Sequence, residues 1–385
     1  MRLKTDWILF TTVILLVFFG ALMVYSASSV KAEQNPLVRN SYFYIERQMG
    51  WVVFSLVVMM LLKRVSYRKL QHPGVAFAFM GIILILLVVV FFADPKQHRW
   101  IRLAGMSLQP SEFAKPAMML FLAFFIALRS RAINNSRAIN DKHTLLPAAL
   151  AVGIVTIFVG LADLGTAAVL FLSAALVFMV AGLDRRFISI AVAIGVLAGI
   201  GLVIQKPYRL KRVVQFVDPQ YKMLDHFDPA GRVKGYLNTS LVAKDANYQV
   251  EQSKIAVGSG GVAGLGLMQG KQKLLYLPEA HTDMIYAVVG EEFGLIGTTL
   301  VLLAFVVIFW RGIRAAVLVP DEFGRYLALG ITVALAIQAL MNISVVLGMG
   351  PTKGIPLPMI SYGGTSLLST LASIGILLNV SEHAG

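Results

Sequence analysis

The sequence contains no cysteine, which excludes disulfide bonds, thiol nucleophiles and thiolate metal sites. Charged residues are also scarce: they make up 14% of the 385 residues, whereas soluble domains carry about 25%. Hydrophobic residues make up 57% and come in runs of about 20, the length that crosses a lipid bilayer. The composition therefore excludes a soluble globular protein and predicts a membrane protein with many spans.

The apolar runs predict an all-α integral membrane protein with ten transmembrane helices in a single domain, residues 1–385. The predicted spans are 7–27, 46–62, 73–93, 111–128, 145–161, 164–182, 187–204, 283–310, 325–349 and 361–380. The first run is longer than the apolar core of a signal peptide, so we interpret it as a span. The short connections on one side hold about twice as many Lys and Arg residues as those on the other. This asymmetry places both termini in the cytoplasm and the long loop between helices 7 and 8, residues 205–282, outside.

The long loop carries eleven Lys and Arg residues, in a chain whose net charge is +14. Such charges are compatible with a solvated loop, but an outward basic surface favours an anionic ligand through electrostatic attraction. The glycine-rich stretch at 258–261 matches a dinucleotide-binding motif only superficially, because no strand precedes it. We expect it instead to let the backbone approach the helices closely.

Asp283 lies where the long loop meets the eighth apolar run. A carboxylate at the edge of a membrane is costly, so it is a candidate functional group. Asp283 and Thr282 are also good helix N-caps, and both roles are open on this evidence. His281 is more typical of a hydrogen-bonding partner than of a base. Glu291 and Glu292 lie deeper in the run, and we expect basic groups on neighbouring spans to neutralise them.

Further ionisable residues are predicted to lie at the same outer face. Glu112 and Lys115 are three residues apart on the fourth helix and can pair with each other. Lys115 can alternatively contact Asp283 or a substrate phosphate. The remaining members of this outer group are Arg99, Asp163, Arg209, Arg212, Lys353 and Ser361. Acidic and basic side chains at one membrane face favour a site for a phosphorylated amphiphile.

Seven ordered blocks resemble the SEDS family (shape, elongation, division and sporulation) of ten-span peptidoglycan glycosyltransferases, over nearly the whole chain. The first three blocks are Arg99-Trp100-Ile101 with Gln109-Pro110-Ser111-Glu112 and Lys115; Asp163-Leu164-Gly165-Thr166-Ala167; and Tyr208-Arg209 with Arg212 and Asp218-Pro219. The other four are Gln252-Ser253 with Gly258; Leu277-Pro278-Glu279 with His281-Thr282-Asp283; Gly290-Glu291-Glu292 with Gly294; and Pro356-Leu357-Pro358 with Ile360-Ser361-Tyr362-Gly363-Gly364. The chain departs from the family at Leu161 and Ala162, where Gln and Pro are usual, and at Met284 and Met359, where Phe is usual. Thr365 stands where a second Ser is usual. None of these departures removes an ionisable group.

The resemblance implies an enzyme that polymerises lipid II into glycan strands at the outer face of the bacterial cytoplasmic membrane. It implies that Asp283 is the general base, which takes a proton from the acceptor 4-hydroxyl while the lipid diphosphate leaves with inversion at the donor carbon. The residues expected to bind substrate are Arg99, Glu112, Lys115, Asp163, Arg209, Arg212, Gln252, Ser253, His281, Thr282, Lys353 and Ser361. Motifs such as Tyr25-Ser26-Ala27-Ser28 are more similar to the division (FtsW-like) branch than to the elongation (RodA-like) branch. The long loop is enlarged at 219–249 relative to the family pattern.

The resemblance also implies partners. These are lipid II, the lipid-linked glycan, a class B penicillin-binding protein that supplies the absent transpeptidase activity, and other divisome or elongasome membrane proteins, with no nucleic acid. The sequence has no metal-ligand spacing, so no metal site is predicted, but the leaving diphosphate leaves open a divalent cation, Mg²⁺ or Mn²⁺. The alternative function is a lipid II flippase, because charges within a membrane can line a transport path. The sequence shows no inverted repeat of the kind that many transporters have.

Overall fold

The computed structural model describes residues 4–36, 38–95, 97–103, 106–133, 142–218, 220–228, 231–238, 246–274 and 276–384. The helices of this part of the chain are α1 Trp7–Gln34, α2 Phe43–Arg64, a 3-10 helix Tyr67–Gln71, α3 Pro73–Ala93, α4 Pro110–Ile133, α5 Lys142–Ala162, α6 Leu164–Val180, α7 Arg185–Ile204, α8 Pro207–Val217, α9 Lys222–Phe227, α10 Arg232–Asn238, α11 Ala246–Ser259, α12 Ile285–Leu318, α13 Glu322–Val346 and α14 Gly364–Glu382. A small hairpin of β1, Ile101–Leu103, and β2, Met106–Leu108, precedes α4 and was not predicted.

Nine helices of the described residues are long and apolar enough to cross a membrane: α1 to α5, α7 and α12 to α14. The prediction of an all-α integral membrane protein is therefore confirmed. The predicted span 164–182 corresponds to α6, which is apolar but has 17 residues. The count of ten spans accordingly stays a prediction. The described part of the long loop contains four helices of its own, α8 to α11.

The centre of the bundle is formed by α13 and α4. Helix α13 packs against α4, α6, α12 and α14, and α4 also packs against α3. Helix α7, by contrast, has no buried residue, and large apolar side chains such as Leu197 of α7 and Phe92 of α3 are exposed. Because these outer side chains are apolar, they are suited to contact with lipid tails.

Helices α5 and α6 form a tight hairpin, as the sequence predicts, with only Asp163 between them. The Asp163 carboxylate caps α6 by accepting from the backbone N–H of Gly165 at 3.0 Å and from that of Thr166 at 3.4 Å. Aspartate is a preferred residue at this position because its oxygen satisfies N–H groups that the helix leaves unpaired. The hairpin thereby holds an acidic group at one end of the bundle.

Helix α12 is interrupted at Gly294, where φ is 62° and ψ is −157°. Glycine adopts this backbone conformation without steric cost. The glycine-rich segment, residues 258–266, packs against the break through four backbone hydrogen bonds: Leu265 N–H to Glu291 C=O at 3.0 Å, Gly266 N–H to Glu292 C=O at 2.9 Å, Leu295 N–H to Gly261 C=O at 2.9 Å and Ile296 N–H to Val262 C=O at 3.2 Å. The predicted close approach of this segment to the helices is therefore present, whereas the prediction of one continuous span at 283–310 missed the break.

Glu291 and Glu292 hold the long loop against the bundle. Lys273 forms a buried ion pair with Glu292, and Ser26 of α1 donates to the same carboxylate at 2.6 Å. The Glu291 carboxylate accepts from the backbone N–H of Lys271 at 2.7 Å. The prediction that basic groups on neighbouring spans neutralise these glutamates is wrong, because the loop itself enters beside the break and supplies the cation.

The two chain ends meet on the side of the bundle where α12 ends. Thr5 Oγ1 donates to Glu382 Oε1 at 2.9 Å, and Lys63 Nζ pairs with the same carboxylate at 2.7 Å. Asp6 pairs with Arg311, near the C-terminal end of α12, at 2.8 Å. The termini thus lie on one side, as the prediction of two cytoplasmic termini requires. The long loop joins α12 at its opposite, N-terminal end.

Candidate active site

The end of the long loop is a compact turn, residues 279–284, that leads into α12. The backbone N–H groups of Thr282 and Met284 both donate to the Glu279 carbonyl, at 3.2 and 3.1 Å. Met284 is the N-cap residue of α12, and no side chain caps this helix. Asp283 therefore does not take the capping role that its position allowed. Its carboxylate forms no hydrogen bond or ion pair within the described part of the chain.

Asp283 faces a cavity of about 370 Å³, here called the Asp283 cavity. Its wall includes aromatic rings and polar side chains, among them Trp51, Arg99, Trp100, Gln109, Thr282, Tyr362 and Ser366. A Cβ added at Gly354 would stand 2.8 Å from Asp283 Oδ2, so the glycine leaves the carboxylate its space. The volume matches that of sites for small molecules or for the polar head of a larger one.

A second cavity, of about 80 Å³, lies beside the first and shares Arg99 and Gly354 with it. We call it the basic cavity, because four cationic side chains line it: Arg99, Arg209, Arg212 and Lys353. Arg99 pairs with Asp163 at 2.5 Å, and Arg212 donates to the Thr352 carbonyl at 3.4 Å. Burial lowers the pKa of Lys353 and Arg212. Such a group of cations in a partly buried pocket is suited to an anionic ligand.

The ionisation of Asp283 is set by its half-buried position. Burial, together with the nearby charges of Glu279 and Asp163, raises its pKa from the usual 3.8 to about 7, although Arg99 and Arg212 act in the opposite direction. A carboxyl group whose pKa lies near neutral pH is suited to general-base catalysis. A strongly shifted pKa in a cavity is also typical of functional sites.

His281 points away from the two cavities and into an aromatic cluster. Its ring lies 4.8 Å from that of Tyr44 and 5.7 Å from that of Tyr362, centroid to centroid. Burial lowers its pKa to about 4, with a further contribution from Lys31. A neutral, packed imidazole supports the turn, and its predicted contact with substrate stays a prediction.

Glu112 and Lys115 pair with each other at 2.8 Å, and both are buried. Lys115 Nζ also donates to Gln338 Oε1 at 2.5 Å. Of the alternatives that the sequence left open for Lys115, the pair with Glu112 is the one present here. Lys115 lines a separate, small cavity of about 20 Å³ within the bundle.

Arg209 reaches the basic cavity but uses its guanidinium largely on the protein itself. It donates to the carbonyls of Gly160 at 3.0 Å, Leu161 at 2.9 Å and Leu202 at 3.2 Å. These carbonyls lie at the ends of α5 and α7, where helices leave C=O groups unpaired. Arg209 therefore joins two helix ends beside the cavity.

Gln252 and Ser253 lie on α11 and line neither the Asp283 cavity nor the basic cavity. Ser253 is fully buried, and its hydroxyl donates to the Val346 carbonyl at the end of α13. The structure thus places Ser253 in a contact between helices. Substrate binding by these two residues stays a prediction.

Three successive carbonyls of the 279–284 turn accept hydrogen bonds from residues that lie far away in the sequence. The bonds are Tyr362 N–H to His281 C=O at 2.9 Å, Ser361 Oγ to Thr282 C=O at 2.6 Å and Asn342 Nδ2 to Asp283 C=O at 2.7 Å. Ser361 was predicted to bind substrate; its hydroxyl instead donates to a backbone carbonyl of the turn, and substrate binding by Ser361 stays a prediction.

Sequence reasoning gave no role to Asn342 or to the rings of Trp51, Trp100 and Tyr362. Aromatic residues are common near membrane surfaces, so their residue type alone does not indicate a cavity wall. Asn342 did carry a signal, because an amide inside the apolar run of α13 needs a hydrogen-bonding partner. The identity of that partner depends on the fold.

The family model described as "Cell cycle protein", for FtsW, RodA and SpoVE, matches residues 6–385. The chain belongs to this family. It is 37% identical to "Probable peptidoglycan glycosyltransferase FtsW" of Trichlorobacter lovleyi, over 98% of this chain and 93% of that protein. It is 36% identical to "Stage V sporulation protein E" of Bacillus subtilis, over 100% of this chain and 98% of that protein.

Among solved structures, this FtsW/RodA/SpoVE family member is similar to a chain from "Structural coordination of polymerization and crosslinking by a peptidoglycan synthase complex". The TM-score is 0.73 and the identity 26%, with 99% of both chains covered. The predicted resemblance is thereby confirmed. Family membership and the apolar helices together identify a multi-pass protein of the cytoplasmic membrane.

Proposed function

We propose that this family member is a peptidoglycan glycosyltransferase that joins lipid II units into glycan strands. The relative from Trichlorobacter lovleyi is named for this activity, and the function predicted from the sequence agrees with it. The observation that carries the proposal is the unpaired Asp283 carboxylate, with a pKa of about 7, in a cavity that adjoins a pocket of four cations. An acceptor hydroxyl and a diphosphate need these two environments side by side.

In this mechanism the acceptor sugar enters the Asp283 cavity and the donor diphosphate occupies the basic cavity. Asp283 takes the proton of the acceptor 4-hydroxyl as that oxygen bonds to the donor anomeric carbon. The bond from this carbon to the diphosphate oxygen breaks, and its electron pair leaves with the lipid diphosphate, which inverts the carbon. Arg99, Arg212 and Lys353 stabilise the charge on the departing oxygen.

The lipid chains of donor and acceptor need an apolar path from the cavities to the bilayer. Val203, near the end of α7, lines the basic cavity, and α7 is exposed along its length. We propose that the lipid of the donor lies along this helix, so that the diphosphate enters the protein while the chain stays in the membrane.

Two further proposals concern a cation and a partner. The described residues contain no group of three or more His, Asp or Glu side chains that could hold a metal ion. We propose that a divalent cation, Mg²⁺ or Mn²⁺, where the reaction uses one, arrives bound to the diphosphate, whose oxygens suit it.

The similar solved chain belongs to a peptidoglycan synthase complex. We propose that this protein pairs in the same way with a class B penicillin-binding protein that cross-links the strands.

Reconstitution distinguishes the polymerase from the alternative, a lipid II flippase. The purified protein is placed in vesicles with fluorescent lipid II, with and without the partner transpeptidase, and glycan length and leaflet exchange are both measured. We expect polymer that is absent from protein-free vesicles. Leaflet exchange without polymer, in both preparations, would reject the proposal and favour the flippase.

The pH dependence of polymerisation should follow the ionisation of Asp283. The base works only when it is deprotonated, and its pKa is raised to about 7. We therefore expect turnover to rise through about pH 7 and to fall tenfold for each further pH unit on the acid side. Removing the negative neighbour with Glu279→Gln should lower the pKa of Asp283 and move this limb to lower pH. The pH profile is measured as initial rates of polymerisation from about pH 4 to about pH 9. A wild-type acid limb near pH 4, the usual pKa of an aspartate, would contradict the assignment of Asp283 as the base.

A further inference from the structure

Asn342 is an amide buried in α13, with 2% of its surface exposed. An unpaired amide in an apolar environment costs free energy, so its hydrogen bonds decide what it does. Both N–H groups of its side chain are used. Nδ2 donates to the Asp283 carbonyl at 2.7 Å and to the Ile355 carbonyl at 2.7 Å. One side chain on a membrane helix therefore connects two loops that belong to the Asp283 cavity.

The second of these bonds controls the wall that faces the carboxylate. Ile355 directly follows Gly354, whose missing Cβ gives Asp283 Oδ2 its space. Asn342 thus holds the backbone of Asp283 and, one residue after Gly354, the carbonyl of Ile355 at the same time. This amide therefore helps to set the distance between the carboxylate and the opposite cavity wall.

The other two donors to the turn are themselves part of the connection that Asn342 holds. Ser361 and Tyr362 follow the proline-rich segment, and Ser361 Oγ also accepts from the Leu357 N–H at 2.7 Å. Of the three groups that donate to carbonyls 281–283, Asn342 is the one that lies within a long helix of the bundle. It therefore fixes the turn relative to the core of the protein.

We propose that Asn342 is a positioning residue for Asp283: by bridging the Asp283 and Ile355 carbonyls, it keeps the carboxylate directed into the cavity and away from the open N-terminus of α12. The inference rests on the proposed function of Asp283. Without the bridge, the carboxylate is free to turn toward the unpaired N–H groups of the helix start, which attract aspartate. A base displaced by about 1 Å loses turnover by about 10²-fold.

The test compares Asn342→Ala with Asn379→Ala in the reconstituted full-length protein. Asn379 is a matched control, because it is also a buried amide that joins backbone groups: Nδ2 donates to the Lys63 carbonyl at 2.6 Å and Oδ1 accepts from the Tyr67 N–H at 2.8 Å, at the opposite end of the bundle. Both variants should lose stability. Only Asn342→Ala should lose kcat, by about 10²-fold with KM within about threefold, and its acid limb should move to lower pH as the carboxylate leaves its half-buried position.

Three further variants separate a positioning role of Asn342 from a general loss of stability. Asn342→Gln keeps both N–H donors on a longer side chain and should recover part of the lost kcat. If Asn342→Ala does not fold, Asn342→Gln takes its place in the comparison. Ser361→Ala removes a second donor to the turn and should show the same split between kcat and KM. Equal turnover per folded molecule in the Asn342 and Asn379 variants would overturn the inference. Full activity of Asp283→Asn would instead overturn the proposed function, so the two failures are distinguishable.

Discussion

Replacing Asp283 with asparagine lowers glycan polymerisation by about 10²- to 10⁴-fold and leaves the fold intact, because a neutral amide cannot accept the acceptor proton. The fold is expected to persist because the carboxylate has no partner in the described residues and because burial disfavours its charge. Asparagine has the same shape and fits the space beside Gly354. The variant therefore separates catalysis from stability more cleanly than any other substitution in the cavity.

The measurement is polymer formation from lipid II by the purified variant, together with its melting temperature. Asp163→Asn is the comparison, because Asp163 lies at the same end but pairs with Arg99 and caps α6. We expect Asp163→Asn to lower the melting temperature and Asp283→Asn to leave it unchanged or raise it. Near-normal glycan synthesis by Asp283→Asn would remove the base from the mechanism.

The sequence predicted the position of Asp283 well because the physical signal is local. A carboxylate at the border between a polar segment and an apolar run is costly wherever the chain folds, so the residue attracts attention without any tertiary information. The same holds for the hairpin at Asp163, where the apolar runs leave two residues, Ala162 and Asp163, and the structure leaves Asp163 alone between the helices. The free-energy cost of placing a charged group beside an apolar run can therefore be recognised from the sequence alone.

The roles of the cationic residues could not be predicted in the same way. Arg209 and Arg212 are three residues apart on α8, yet Arg209 is held by three carbonyls, whereas Arg212 has one long hydrogen bond. Which of them remains available for a ligand depends on where α5 and α7 end. This information lies far away in the sequence.

The break in α12 was missed for a related reason. Glycine is tolerated within membrane helices, so Gly294 alone does not indicate an interruption. The interruption is stable because the glycine-rich segment supplies the backbone hydrogen bonds that the helix loses there. A Cβ at Gly260 would lie 1.9 Å from the Gly290 carbonyl oxygen, which shows how closely the two backbones approach. Only the assembled structure brings these partners together.

The ion pair that joins the long loop to the bundle is the basis of the second large effect that we expect, a loss of stability. Lys273 and Glu292 are both fully buried, and Lys273 also donates to Ser26 at 2.8 Å. Lys273→Met leaves the Glu292 charge without its cation, so we expect the free energy of unfolding to fall by about 3–5 kcal/mol. Because Lys273 lies ten residues before Asp283, the loosened loop should also reduce polymerisation.

A double-mutant cycle in detergent or vesicles measures this coupling. Lys273→Met combined with Glu292→Gln removes both charges and should recover most of the lost stability, since an uncharged pair avoids the cost of a buried lone charge. Lys271→Met is the matched control, because Lys271 is two residues away and its side chain is exposed. Its stability should stay within about 0.5 kcal/mol of the wild type. Equal stability of the Lys271 and Lys273 variants would mean that the buried pair does not anchor the loop, and the break in α12 would then depend on its backbone hydrogen bonds alone.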